Sequence, residues 1–188
     1  TAAFGVLANK GVRQEPISIL KVEDSKGKDL YKYQDSDGVK VLEEGIAFII
    51  ANILADNGAR TAAFGSNSIL NIPGKTVSVK TGTTDEKRDN WTVGYTPSYV
   101  VGVWVGNNDN SIMSPVVASG VTGASPIWNK IMSAALIGKS NEPFEKPSNV
   151  TQIDVDGLMT GKPHGGSPTR KEYFISGTEP KNESSAYQ

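Results

Sequence analysis

The spacing of apolar and polar residues switches along the chain between a period of two and a helical period. From Lys75 to Thr83, "KTVSVKTGT" places Val77 and Val79 on one side and Ser78 and Lys80 on the other, the signature of a half-buried strand. Further strands are predicted at 91–96 and in the apolar run "YVVGVWVG" at 99–106. Pro97 and Ser98 leave room only for a tight connection, so these strands form a meander whose last member is interior. Upstream, "EEGIAFIIANILADN" (43–57) carries Ile46, Ile49, Ile50, Ile53 and Leu54 at helical spacing, with acids in the first turn and Gly58 as the stop. The opening "TAAFGVLANKG" reads as the second half of a helix, with Ala3, Phe4, Leu7 and Ala8 on one face and Gly11 ending it. A helix without a beginning reads as a chain that starts inside a larger protein. "PISILKV" (16–22) and "LYKY" (30–33) flank a turn at Gly27 and predict a strand pair, whereas 59–75 predicts a loop. In "SGVTGASPIWNKIMSAALIG", a helix is predicted with Ser125 as N-cap, Pro126 at its first position and Gly138 as its stop. Ile127, Ile131, Ala134 and Ala135 would face the sheet.

This order implies an α+β fold over residues 1–138, an antiparallel β-sheet with packed helices. Residues 139–188, rich in Pro, Gly and Ser, read as a linker and loop-rich C-terminal extension.

Composition narrows the function classes. With 19 basic and 20 acidic residues the chain has no electrostatic footprint for nucleic acid or anionic lipid. The absence of cysteine excludes disulfides, thiolate metal sites and cysteine nucleophiles. No segment approaches the roughly 20 apolar residues that span a bilayer, so no membrane contact is expected within this chain. His164 has no second histidine near it, and "DVDG" at 154–157 opens like a calcium loop but lacks the later bidentate glutamate. Neither metal nor cofactor is expected.

The candidate chemistry centres on Lys80. A strand lysine is an ordinary guard of an exposed edge. Its neighbours Thr81, Gly82, Thr83 and Thr84 add hydroxyl donors and a position where another backbone can approach, which together make a carboxylate site. Trp91, beside the charged turn 85–90, is the aromatic best placed to line a cleft there.

"VKTGTT", "RDNWTVGYTP", "VVGVWVGNND", "SGVTGASPIWNKIM" and "FISGTEP" together resemble the C-terminal part of the transpeptidase domain of class A, bifunctional penicillin-binding proteins. The resemblance implies a penicillin-binding protein and β-lactamase-like fold and a peptidoglycan cross-linking D,D-transpeptidase acting on D-Ala-D-Ala stem peptides or captured by β-lactams. It implies that Lys80 holds the substrate carboxylate and helps proton movement, and that Thr81 and Thr83 hydrogen-bond that carboxylate. The Thr83 N–H would supply an oxyanion donor, and Gly82 room for the substrate backbone. The family's nucleophile is the serine of a Ser-x-x-Lys that opens a buried helix. "SILK" (Ser18 to Lys21) fits the spacing but alternates as a strand, and no Ser-x-Asn is found. The chain is therefore expected to be inactive alone and to need the upstream half of the domain as a partner. It would lie outside the cytoplasm, attached to the membrane through regions beyond this sequence. The other reading is a catalytically inactive penicillin-binding-like domain that binds cell wall or protein partners.

Overall fold

The computed structural model describes residues 1–158 and 161–184, so the last four residues of the C-terminal extension lie outside it. The chain opens with α1 (Ala2–Ala8) and reverses at Lys10 and Gly11, both at positive φ. A side chain at Gly11 would lie 2.1 Å from the Leu42 carbonyl oxygen, so the reversal requires glycine. Two ribbons follow. β1 (Val12–Arg13) pairs with β4 (Val39–Lys40), and between them β2 (Lys21–Glu23) pairs with β3 (Asp29–Lys32) across the Gly27 turn. The strand expected over 16–22 shrinks to its last residues because Ile17, Ile19 and Leu20 stand exposed with no layer packed on them.

The central helix is α2 (Glu44–Ala55), but Gly58 does not end it. The chain turns at Asp56, whose carboxylate accepts the Ala59 N–H at 3.0 Å and starts α3 (Asn57–Phe64) inside the segment expected to be a loop. β5 (Ser78–Thr83), β6 (Asp89–Tyr95) and β7 (Val100–Gly106) then form the predicted antiparallel meander, but β6 is its middle strand. β7, expected to be interior, pairs only with β6 among the described residues, which leaves it an edge strand whose apolar run is covered by α4 (Ala124–Leu136) on one face rather than by further strands. α4 has Gly123 rather than Ser125 at its N-cap. The extension read as loop-rich carries an ordered antiparallel ribbon, β8 (Val150–Asp156) with β9 (Thr169–Ile175). It docks on α2: Tyr173 meets Phe48 edge to face at 5.0 Å, and a side chain at Gly45 would strike Ile175.

Cross-strand register sorts the sheet into two faces. Ser78, Lys80 and Gly82 stand opposite Tyr95, Val93 and Trp91, on the side covered by α1 and α2, where Tyr95 packs with Ala8 and Ala51. Val79 and Val103 point the other way, into a core with Trp128 and Met132 of α4. Helices thus pack on both faces of the sheet, covering the end that carries Ser78, Val79 and Tyr95 and leaving the end that carries Gly82, Trp91 and Trp104 exposed.

α4 is rotated relative to the expected face. Ile127 and Ile131 are 46% and 48% exposed, while Ala124, Ser125, Trp128, Met132 and Leu136 are buried. The cause is Gly94 in β6: a side chain there would come within 2.4 Å of the Trp128 ring, so the missing Cβ makes the slot that the largest residue of the helix fills.

Candidate functional site

β5 is anchored from both faces before it reaches the candidate residues. Val79 is buried against α4, and Ser78, fully buried, donates its hydroxyl to the Ala51 carbonyl of α2 at 2.6 Å. Beyond that anchor the strand emerges, and Lys80, Gly82 and Thr83 are exposed. β5 pairs with β6 on one edge, and among the described residues no strand pairs with its other edge.

The hydrogen bonds fix what faces this free edge. The Thr84 N–H donates to the Asp89 carbonyl of β6 at 3.1 Å, and strand alternation then turns the N–H groups of Thr83 and Thr81 outward, away from β6. The Thr81 carbonyl faces the same way and receives the Lys80 ammonium at 2.5 Å. No carboxylate lies within 4.0 Å of the Lys80 ammonium among the described residues, so its charge is not neutralised by a partner.

A hollow of about 260 Å³ opens along this edge, bordered by Val79, Lys80 and Thr81 of β5, Leu54 of α2, and Arg60 and Phe64 of α3. Residues of opposite strand parity share it because it lies off the edge of the sheet rather than over a face. Lys80 and Thr81 are therefore brought together. Thr83 is placed differently: its backbone N–H faces the edge, while its side-chain oxygen accepts the Gly120 N–H at 3.1 Å on the α4 side. Thr84 closes the β5–β6 turn, accepting the Asp89 N–H at 3.0 Å and donating to its carbonyl. Gly82 relieves no clash, since a Cβ there would sit 3.9 Å from that of Trp91, and it leaves open space above that residue. Trp91 shares the Lys80 face, 43% exposed, and stands directly opposite Trp104, whose indole donates to Asp89 at 2.9 Å.

Arg60 is the site residue that the sequence reading missed. It reaches back to cap α2, donating to the carbonyls of Leu54 and Asp56, and its guanidinium borders the hollow that Lys80 borders. Burial lowers its pKa, and nearby Asp56 partly offsets that effect. Its signal lies in α3, most of which falls in the stretch 59–75 whose pattern predicts a loop.

The charged turn 85–90 is strapped rather than simply solvated. Glu86 and Lys87 adopt positive φ, Arg88 pairs with Glu86 and donates to the Asn110 carbonyl at 2.6 Å, and the Lys87 carbonyl accepts the Met113 N–H.

Elsewhere the candidate motifs resolve into structure. Ser18 lies in an exposed, irregular stretch and not on a buried helix. Lys21 is bound by Asp29 at 2.9 Å and Glu23 at 2.7 Å, which raise its pKa and hold it charged, the wrong form for taking a proton from a serine. A second Ser-x-x-Lys, Ser25 to Lys28, forms the exposed turn between β2 and β3. Asp154 and Asp156 belong to β8, His164 meets Glu183 at 3.1 Å, and among the described residues no cluster of side chains could hold a metal ion. No described helix is long and apolar enough to cross a membrane.

Comparison with known proteins gives a consistent result. The family model described as "Penicillin binding protein transpeptidase domain" matches residues 1–133. The chain is 34% identical over 187 residues to penicillin-binding protein 2D of Bacillus subtilis, covering 96% of this chain and 26% of that protein. It is 33% identical over 186 residues to penicillin-binding protein 1A of Clostridium tetani, covering 95% of this chain and 23% of that one. Among solved structures, penicillin-binding protein 1A of Haemophilus influenzae superposes with a TM-score of 0.82 at 26% identity, over 97% of this chain and 32% of that one. The chain thus spans about a quarter of the length of the curated relatives it matches.

Proposed function

From the premise that the chain belongs to the penicillin-binding protein transpeptidase family, we propose that it supplies the carboxylate-binding and oxyanion wall of a peptidoglycan cross-linking D,D-transpeptidase. One observation carries this reading: Lys80, Thr81 and the outward N–H of Thr83 all address the single unpaired edge of β5, with the Lys80 charge free of carboxylate partners among the described residues. An extended stem peptide ending in D-Ala-D-Ala lies along such an edge as an added strand. Its terminal carboxylate meets Lys80 and the hydroxyls of Thr81 and Thr83, and the scissile carbonyl oxygen meets the Thr83 N–H. A preorganised donor of that kind contributes about 3 kcal/mol to lowering an acyl-transfer barrier. Gly82 leaves room for the substrate backbone and Trp91 walls the far side, while Thr84 acts indirectly by closing the turn. A β-lactam, which carries a carboxylate beside a reactive carbonyl, takes the same place.

The acylating serine comes from outside this chain. Neither Ser-x-x-Lys here lies on a helix, and acyl transfer needs nucleophile and base in contact. The upstream half of the domain brings them to the β5 edge, and the intact protein works at the outer face of the cytoplasmic membrane, held there by regions beyond this sequence.

Labelling by a fluorescent penicillin tests the proposal in three samples: this chain alone, the chain with its upstream half, and the latter carrying Lys80→Ala. Labelling confined to the unsubstituted pair is the expected result. A chain that labels alone would overturn the assignment of the nucleophile, and a folded pair that never labels would favour the inactive binding domain.

A further inference from the structure

A threonine hydroxyl both donates and accepts, and which role it offers a ligand depends on what its other neighbour supplies. Thr83 Oγ1 already accepts the Gly120 N–H at 3.1 Å. With a lone pair so engaged, its own proton is left to be donated outward, the polarity that an anionic carboxylate requires.

That donor is held in place by a buried polar network. The Gly120 carbonyl accepts the Ser125 N–H at 2.9 Å and the Ser125 hydroxyl at 2.6 Å. The segment carrying Gly120 is tied at both ends by Asn90, which has no exposed surface and stands opposite Thr83 in the strand register. Asn90 Nδ2 donates to the Val117 carbonyl at 2.8 Å, and Oδ1 accepts the Ala124 N–H at 2.8 Å. The two partners, a carbonyl and an N–H, fix the orientation of the amide. The segment sits close on β5, since a side chain at Gly120 would come within 3.0 Å of the Thr81 Cβ.

We propose that Asn90 is a positioning residue for carboxylate recognition: by pinning the 117–124 segment it keeps the Gly120 N–H on Thr83 Oγ1 and thereby reserves the Thr83 hydroxyl proton for the substrate. The proposal rests on the reading of β5 as the carboxylate-binding strand. Asn90 touches no reacting atom itself.

The test compares acylation of the intact protein by a penicillin bearing its free carboxylate and by the methyl ester of the same compound. Asn90→Asp keeps the side-chain volume and the acceptor for the Ala124 N–H but sets an oxygen against the Val117 carbonyl. Gly120→Ala disturbs the same contact from the other side. Each is expected to slow the free acid about tenfold more than the ester, the worth of one hydrogen bond to a charged group. Thr83→Val should give the same discrimination, and Thr83→Ser, which keeps the hydroxyl, should abolish it by restoring acylation by the free acid. Equal slowing of acid and ester, or slowing of neither, would overturn the role of Asn90 and leave only a packing residue. If Asn90→Asp fails to fold, Gly120→Ala decides alone. Lys80→Ala separates the two levels: no loss of acylation in that variant would sink the reading of β5, whereas loss there without acid–ester discrimination at Asn90 and Gly120 sinks only this inference.

Discussion

β2 and β5 each carry a lysine with hydroxyl residues near it, yet β5 is held from both faces and β2 from neither. Around β5, Val79 and Ser78 are locked into opposite helical layers, so the residues that follow are presented from a rigid base. Around β2, Val22, Leu30 and Tyr31 stay exposed, and Lys21 is neutralised by Glu23 and Asp29. A lysine becomes a binding group when its strand is fixed and its charge is left over. Desolvated layers supply the first condition, and the lack of a carboxylate within 4.0 Å among the described residues supplies the second.

The contrast can be broken at several points. Trp128→Ala empties the slot opposite Gly94 and is expected to cost about 3–5 kcal/mol of stability by chemical denaturation, against about 0.5 kcal/mol or less for Tyr31→Ala in the ribbon. Equal losses would mean that the two regions are equally packed. Lys80→Ala should reduce penicillin acylation of the intact protein at least about 100-fold, while Ser18→Ala leaves it unchanged. A Ser18 effect of comparable size would move the chemistry to the ribbon. Ser78→Ala removes the bond to Ala51 and should lower stability by about 1 kcal/mol, with a smaller fall in acylation as β5 loosens.

The last prediction concerns pH. Burial of Tyr95 beneath α1 and α2 pushes its hydroxyl up to about 12. The unfolded chain releases that proton near pH 10, so the stabilising term is complete below about pH 10 and is lost as pH rises toward about 12. Tyr95→Phe should flatten the alkaline decline in urea midpoints, and an unaltered decline would show that Tyr95 is not responsible.

Much of this was legible in the residue pattern where burial and hydrophobicity coincide. The meander followed from alternation in "KTVSVKTGT" and the apolar run of β7, and α1 from Ala3, Phe4 and Leu7. The helix faces were less legible because contact is decided by small residues. α2 buries Gly45, Ala47 and Ala51, which allow close approach, and leaves Ile46 and Ile53 outside. α4 turns Trp128 inward because of a glycine on another strand, which a pattern within the helix cannot reveal. Ribbon β8–β9 was hidden by its polar residues, with Val150, Val155 and Asp156 its buried members. At the site, the residue types around Lys80 could be read directly. Arg60 and Asn90 could not, since a helix cap in a presumed loop and a tie between a strand and a distant segment exist only once the chain has folded.

The meander itself has a kinetic consequence. β5, β6 and β7 are neighbours both in sequence and in space, joined by connections of a few residues, so their pairing closes only short loops. Hairpins of that kind form in about 1–10 μs, well ahead of contacts between distant segments. The wall that carries Lys80 can therefore be assembled early, as a template on which the helices α1, α2 and α4 come to rest.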